Sequence, residues 1–346
     1  MKNLIAILTL ISFCLAAQAQ SDSEKEPFMT RSLSNDAIKN VKVRTSGGSI
    51  TVAGVNAAEA KLEVYVRGNN GLGNLSKEEI QKRLDEDYEL TISVTGNLLT
   101  AIAKQKHNFN NWKKALSISF KVYVPQAVTT DLATSGGSIH LSNLSGNQEF
   151  STSGGSLHID QLSGNIEGRT SGGSITVKNS SNVIDLETSG GGITAENCTG
   201  TIKLSTSGGS LHLDNLEGTI KAHTSGGSVH GKNIKGELNA HTSGGSVTLN
   251  DISASLEAST SGGSIHADIK ELGKYITLKN SGGNITLQLP DNKGMNLNLH
   301  ASKISFATVK AFSGSKDDND MDGTINGGGV PVKVNASSGR ISVAVK

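Results

Sequence analysis

The sequence predicts an all-β protein, a single-stranded parallel β-helix (solenoid) wound from 18-residue coils with a small N-terminal helical insertion. Three observations predict it. The pentapeptide T-S-G-G-S starts at Thr134, Thr152, Thr170, Thr206, Thr224, Thr242 and Thr260, and T-S-G-G-G starts at Thr188 in the same register, so eight starts run without a slip. Between the motifs apolar and polar residues alternate, as in Leu211-His212-Leu213 and Ile220-Lys221-Ala222-His223, the pattern of strands with one buried face. Glycine reaches 41 of 346 residues. That density opposes helix, and no helical periodicity runs through the repeats.

One coil holds two short strands, separated by an Asn/Asp-rich turn and a Gly-Gly turn. It cannot bury both strand faces alone. Stacking solves this, because each strand then pairs in parallel with its equivalents about 4.8 Å above and below. Leu, Ile and Val rows fill the interior. The leading Thr has inward parity and is expected to form a hydroxyl ladder at a corner. The Gly pairs are expected to adopt positive φ or to allow close chain approach. Asn143, Asn179, Asn197, Asn215, Asn233 and Asp251 suit left-handed turn positions. The general preference for right-handed parallel crossovers favours a right-handed coil. An antiparallel sandwich gives no reason for an unslipped period.

The elements follow in order. Lys2, the apolar run Leu4 to Leu15 and Ala17-Gln18-Ala19 read as a signal peptide over residues 1–19. No other 18-residue apolar stretch occurs, so no transmembrane segment is expected in the mature chain. Residues 20–36 read as a flexible polar lead-in, and 37–133 as an N-terminal β region and cap. Within it Val41 to Val55 carries an outlying motif copy at Thr45, and Ala60 to Arg67 reads as a strand. Ser76 with Glu79 forms a capping box for a helix over 76–87, with Ile80 and Leu84 on one face. Leu90 to Ala103 reads as a hairpin through Gly96-Asn97, and Leu116 to Val124 as a strand stopped by Pro125. The stretch 68–111 is expected to decorate the solenoid as an insertion or a cap. Residues 134–279 are the regular solenoid. Residues 280–346 are irregular coils and a cap, with degenerate motif copies at Asn280 and Ser337 and an acidic loop from Asp317 to Gly323.

Function is less legible. Lys+Arg and Asp+Glu number 32 and 31, so charge gives no case for nucleic acid. Cleavage after Ala19 leaves Cys198 as one unpaired cysteine, at a core position usually held by Leu or Ile. No phosphate loop or dinucleotide fingerprint occurs, and the serines recur in every coil, whereas a catalytic triad is made once. Carbohydrate-active β-helices need clustered carboxylates and aromatic platforms, and Trp112 is the only tryptophan. Two metal arrangements are considered. His212 and His230, on adjacent coils with Asp214 on the same face, suit a transition metal; His140/His158 and His223/His241 form similar pairs. Asp318, Asp320 and Asp322 followed by Gly323 match the first half of a calcium loop, although Gly329 stands where its last carboxylate belongs. No other cofactor is implied.

Repeated S-G-G-S-I-x-V units, V-P at Val124-Pro125 ahead of T-S-G-G-S-I, and the closing N-A-S-S-G-R-I-S-V resemble the bacterial family of secreted β-strand-repeat proteins labelled "putative adhesin", a domain of unknown function. The resemblance covers Ala37 to Lys346. It implies a β-solenoid in the periplasm, at the cell surface or outside the cell, and supplies no catalytic motif. The expectation is a non-enzymatic interaction module with an envelope or extracellular protein or glycan as partner. The alternatives are a carbohydrate-active β-helix and a metal-responsive envelope sensor.

Overall fold

The computed structural model describes residues 26–68, 75–107, 115–307 and 311–346; the expected signal peptide and Trp112 lie outside them. The N-terminal elements are β1 (Met29–Ser32), β2 (Asn40–Thr45), β3 (Ile50–Val55), β4 (Lys61–Gly68), α1 (Lys77–Asp87), β5 (Tyr88–Thr95), β6 (Leu98–Gln105) and β7 (Leu116–Pro125). The coils continue through β8 (Thr129–Thr134), β9 (Ile139–Thr152), β10 (Leu157–Thr170), β11 (Ile175–Lys178), β12 (Ser181–Thr188), β13 (Ile193–Glu196) and β14 (Thr199–Thr206). Then come β15 (Leu211–Thr224), β16 (Val229–Thr242), β17 (Val247–Thr260), β18 (Ile265–Asn280) and β19 (Ile285–Leu289). The C-terminal region holds β20 (Met295–Phe306), β21 (Phe312–Lys316), β22 (Asp320–Ile325) and β23 (Val330–Val345).

The protein is the parallel β-solenoid that the repeat predicts. Leu211 pairs with Val229 and Thr224 with Thr242, one period away, and every regular rung repeats this register. One core row runs Ile139, Leu157, Ile175, Ile193, Leu211, Val229, all buried. The row on the second strand compensates for size. Phe150 stacks on Gly168, where a Cβ would lie 2.4 Å from the Phe150 ring, so the aromatic fills the space the glycine leaves. Cys198 is buried in a third row beside Leu216.

The turns differ somewhat from expectation. The Asn/Asp positions do adopt left-handed geometry, from φ 51° at Asn179 to φ 55° at Asp251, and Gln161 joins them at φ 55°. The motif glycines do not; neither Gly208 nor Gly209 has positive φ. Close approach constrains them instead. A Cβ on Gly209 would sit 2.1 Å from the Gly191 carbonyl oxygen, whereas one on Gly208 would meet nothing nearer than 3.3 Å.

The motif threonines are buried, but their hydroxyls bond to backbone and not to one another. Thr206 Oγ1 donates to the Gly191 carbonyl at 2.7 Å and accepts from Gly209 N–H at 3.3 Å. The same relay recurs from Thr134 to Thr260. Asn280 keeps it with an amide, Nδ2 donating to Gly263 and Oδ1 accepting from Gly283. Each rung is thereby stitched to its predecessor at the corner where the strand ladder is interrupted.

Both ends are interlocked. At the N-terminal end β2 and β3 form a rung covered inside by β8 and β9 and outside by β6 and β7. Of the two readings of the stretch 68–111, insertion or cap, β6 fits the cap, since it belongs to the parallel ladder and covers β2 from outside. Antiparallel strands finish this end, β4 on β7, β1 on β4 and β5 on β6. α1 starts at Ser76, whose Oγ accepts from Glu79 N–H, and buries Ile80 and Leu84. Only half of the capping box forms, because Glu79 bonds Arg83 instead. At the C-terminal end β23, last in sequence, lies between β18/β19 and β20. β22 then packs antiparallel on β20, and β21 on β22.

Candidate interaction surface

Because inward positions are spent on the core, chemistry is left to the outward rows and corners. On the first strand face the outward row reads His140, His158, Thr176, Thr194, His212, His230. Parallel register stacks the imidazoles. Ring centroids are 4.6 Å apart in His140/His158, 5.0 Å in His212/His230 and 4.9 Å in His223/His241, with planes within 14°. Burial first, and the neighbouring imidazole second, hold His140, His230 and His241 below the usual histidine range. A second outward row, Asp160, Lys178, Glu196, Asp214 and Lys232, mixes both charges, and Lys178 pairs with Glu196 at 2.7 Å.

His212, His230 and Asp214 share a shallow groove of about 410 Å³ with Glu196 and Asn250. The structure brings them to one face but not to one point. The two rings lie near-parallel, and no three His, Cys, Asp or Glu among the described residues form a metal-holding group. The acidic stretch is placed differently from its expectation as a loop. Asp320 and Asp322 lie on β22, where Asp320 faces His300 Nδ1 at 2.6 Å and Asp322 accepts from Asn298 at 2.6 Å. Asp318 meets the cap through its carbonyl, which accepts from Ile304 N–H at 2.7 Å. Gly323 has no positive φ, so the sharp turn of a calcium loop is replaced by strand.

The larger concavity was not singled out from the sequence. A groove of about 700 Å³ runs along the motif corner over the first rungs, lined by Arg44, Lys104, Arg169 and Glu187 beside Ser135 and Ser153. Arg44 bonds Asp131, and Arg169 pairs with Glu167 at 2.7 Å and Glu187 at 3.6 Å. A signal for it existed. R-T-S-G-G-S occurs at Arg44 and again at Arg169, and the fold places both arginines along one corner although 125 positions separate them in the chain.

With this geometry in view, the family model described as Toastrack DUF4097 matches residues 30–344. The chain belongs to the Toastrack family. Two solved structures align along most of its length. One is a "putative cell adhesion protein" from Clostridium sporogenes, 10% identical, covering 92% of this chain and 98% of its own with a TM-score of 0.24. The other is a "putative adhesin" from Bacteroides fragilis, 13% identical, covering 91% and 96% with a TM-score of 0.24. No curated protein matches the sequence. In this Toastrack chain Cys198 is buried, its thiol pushed up by burial and its Sγ 3.2 Å from the Glu196 carbonyl. That is the environment of an inert core thiol, not of an activated nucleophile. No helix among the described residues is long and apolar enough to cross a membrane.

Proposed function

We propose that this Toastrack protein is a non-enzymatic, adhesin-like interaction module of the cell envelope or exterior, which presents its outward rows and corner groove to a protein or glycan partner. The observation that supports it most is the division of labour within each coil. Turns repeat almost unchanged and inward residues stay apolar or small, while outward residues on the same strands change chemistry from rung to rung, as Asp160, Lys178, Glu196, Asp214 and Lys232 do. The fold is thus a rigid lattice whose exposed side chains vary without disturbing the core, which suits recognition.

The test compares residues 20–346 with the triple variant Arg44→Glu, Lys104→Glu, Arg169→Glu as immobilised baits for envelope extracts and purified envelope glycans. Because Arg44 is half-buried beside Asp131 and Arg169 pairs with Glu167 and Glu187, a thermal melt must first show that the variant is folded at the temperature of the assay. The wild type is expected to retain a saturable partner that the variant loses. Equal retention by both would remove the corner groove from the account. No saturable retention from any envelope fraction would contradict the interaction reading itself.

A further inference from the structure

The interlocked ends imply a mechanical role. In a solenoid whose rungs follow sequence order, the last strand is an edge strand, held by one ladder and easily peeled along the rod axis. Here the chain leaves the C-terminal end from β23, which is held on both sides. On its inner face Ile276 to Asn280 and Ile285 to Leu289 pair with it. On its outer face β20 pairs from Met295–Val330 to Phe306–Val343. The described residues 290–307 and 311–329 form a strap tied to inner rungs at both ends, with β22 and β21 stiffening it from outside. The N-terminal end repeats the device. β2 and β3 lie beneath β6 and β7, which come between β3 and β8 in the chain. Only the four-residue β1, paired with β4, lies outside that clamp.

We propose that the protein bears tension along its rod, with each end built as a clamp. A pull on the chain beyond β23 or ahead of β2 must break both flanking ladders at once, or carry the strap away with the strand. Of the edge strands, β5 and β21 lie in straps and not in the load path, whereas β1 lies ahead of the N-terminal clamp and peels before it is loaded. This follows from topology and goes beyond the interaction reading, since it does not depend on which partner is bound.

Single-molecule pulling in two geometries tests it. Both use the full chain from residue 20 with a handle at Glu217→Cys, an exposed position in the regular coils. The second handle is either at Lys346→Cys or at Asp317→Cys, which sits in the strap between β21 and β22. The other cysteine of this chain, Cys198, is buried and should not react. Through residue 317 the first event should be β21 peeling at low force, because β21 is paired with β22 alone, whereas β20 behind it is held by both β22 and β23. Through residue 346 the first rupture should need a clearly higher force, because β23 is held by two ladders from the start, and should release β20 to β23 as one step. Equal forces, or a lower force through residue 346, would overturn the clamp and leave partner binding untouched.

Discussion

Within each T-S-G-G-S unit the two glycines answer to different constraints. The second lies so close to the preceding rung that a Cβ on Gly209 would reach 2.1 Å from a carbonyl oxygen, while on the first it would stop at 3.3 Å, a tight contact that a shift of a few tenths of an ångström relieves. Gly209→Ala should therefore cost about 3 kcal/mol, the upper end of what overpacking exacts. Gly208→Ala should cost about 1 kcal/mol or less, the lower end of that range offset by the lower entropy of the unfolded chain. Chemical denaturation of both variants checks this, and equal losses would contradict the close-approach explanation. The stacked histidines set a pH dependence. His140, His230 and His241 are held low by burial and then by His158, His212 and His223. Unfolded histidines titrate near about 6.5, so on acidification the unfolded state takes up protons first. Stability contributed above that pH is lost as the pH falls below about 6.5 towards the depressed folded values. His140 is bounded on its row by Thr51 and His158, and His230 by His212 and Thr248, with Asp214 and Lys232 on the next row; His241 lies between His223 and Ser259. Replacing them by Thr, Thr and Ser, residues that other coils carry there, should flatten the melting temperature between pH 7 and 5. An unchanged slope would show that the stacks are not responsible.

At the scale of elements, the repeat was legible and its order at the ends was not. The motif copy at Thr45 and the strand Leu116 to Val124 could be read because they keep strand parity, and the motif position carried into Asn280; in the last coil it falls at Ala336, one residue before the expected Ser337. Yet a parallel ladder accepts any rung in the same register. Nothing in Val330 to Val345 distinguishes an outermost coil from one covered on both sides; its Val332, Val334 and Ile341 would face inward either way. The coil after Thr260 is two residues longer than the rest. Its register shifts against β17, and Gly273 packs where a Cβ would meet Ser255 N at 2.2 Å. The candidate site fared similarly. Rows of His were readable because adjacency follows from the period, but ring orientation was not, and the Asp320–Asp322 stretch took strand geometry because β20 offered it an antiparallel partner. The intercalation makes its own prediction. Deleting residues 330–346 should strip hydrogen-exchange protection from β20 and β22 as well as from the exposed faces of β18 and β19, because the strap loses its seat. Retained protection in β20 would mean that the strap docks without β23.

Over the whole molecule, thirteen rungs stack in one continuous core row, from Phe120 and Ile50 through Ile139 to Ile285, Ile341 and Ile304. At about 4.8 Å per step the rod section is roughly 58 Å long. Each rung touches only its neighbours, so stability should be a sum of rung and interface contributions. The relay through Thr206 and its equivalents enforces the same period as the core rows. Coils are then the unit that can be removed, and a fraction of a coil is not. The direct test deletes residues 206–223 in one protein and residues 206–214 in another. The first joins Ser205 to Thr224, restoring every row and the threonine relay. The second joins Ser205 to Asn215, putting a left-handed turn residue where the relay threonine belongs and displacing the strand register, which moves core side chains off their rows. Circular dichroism and thermal melts should find the first folded and cooperative, shorter by one rung, and the second largely unfolded or melting far lower. Equal tolerance of the two deletions, or collapse of the first alone, would contradict the stacked-coil account.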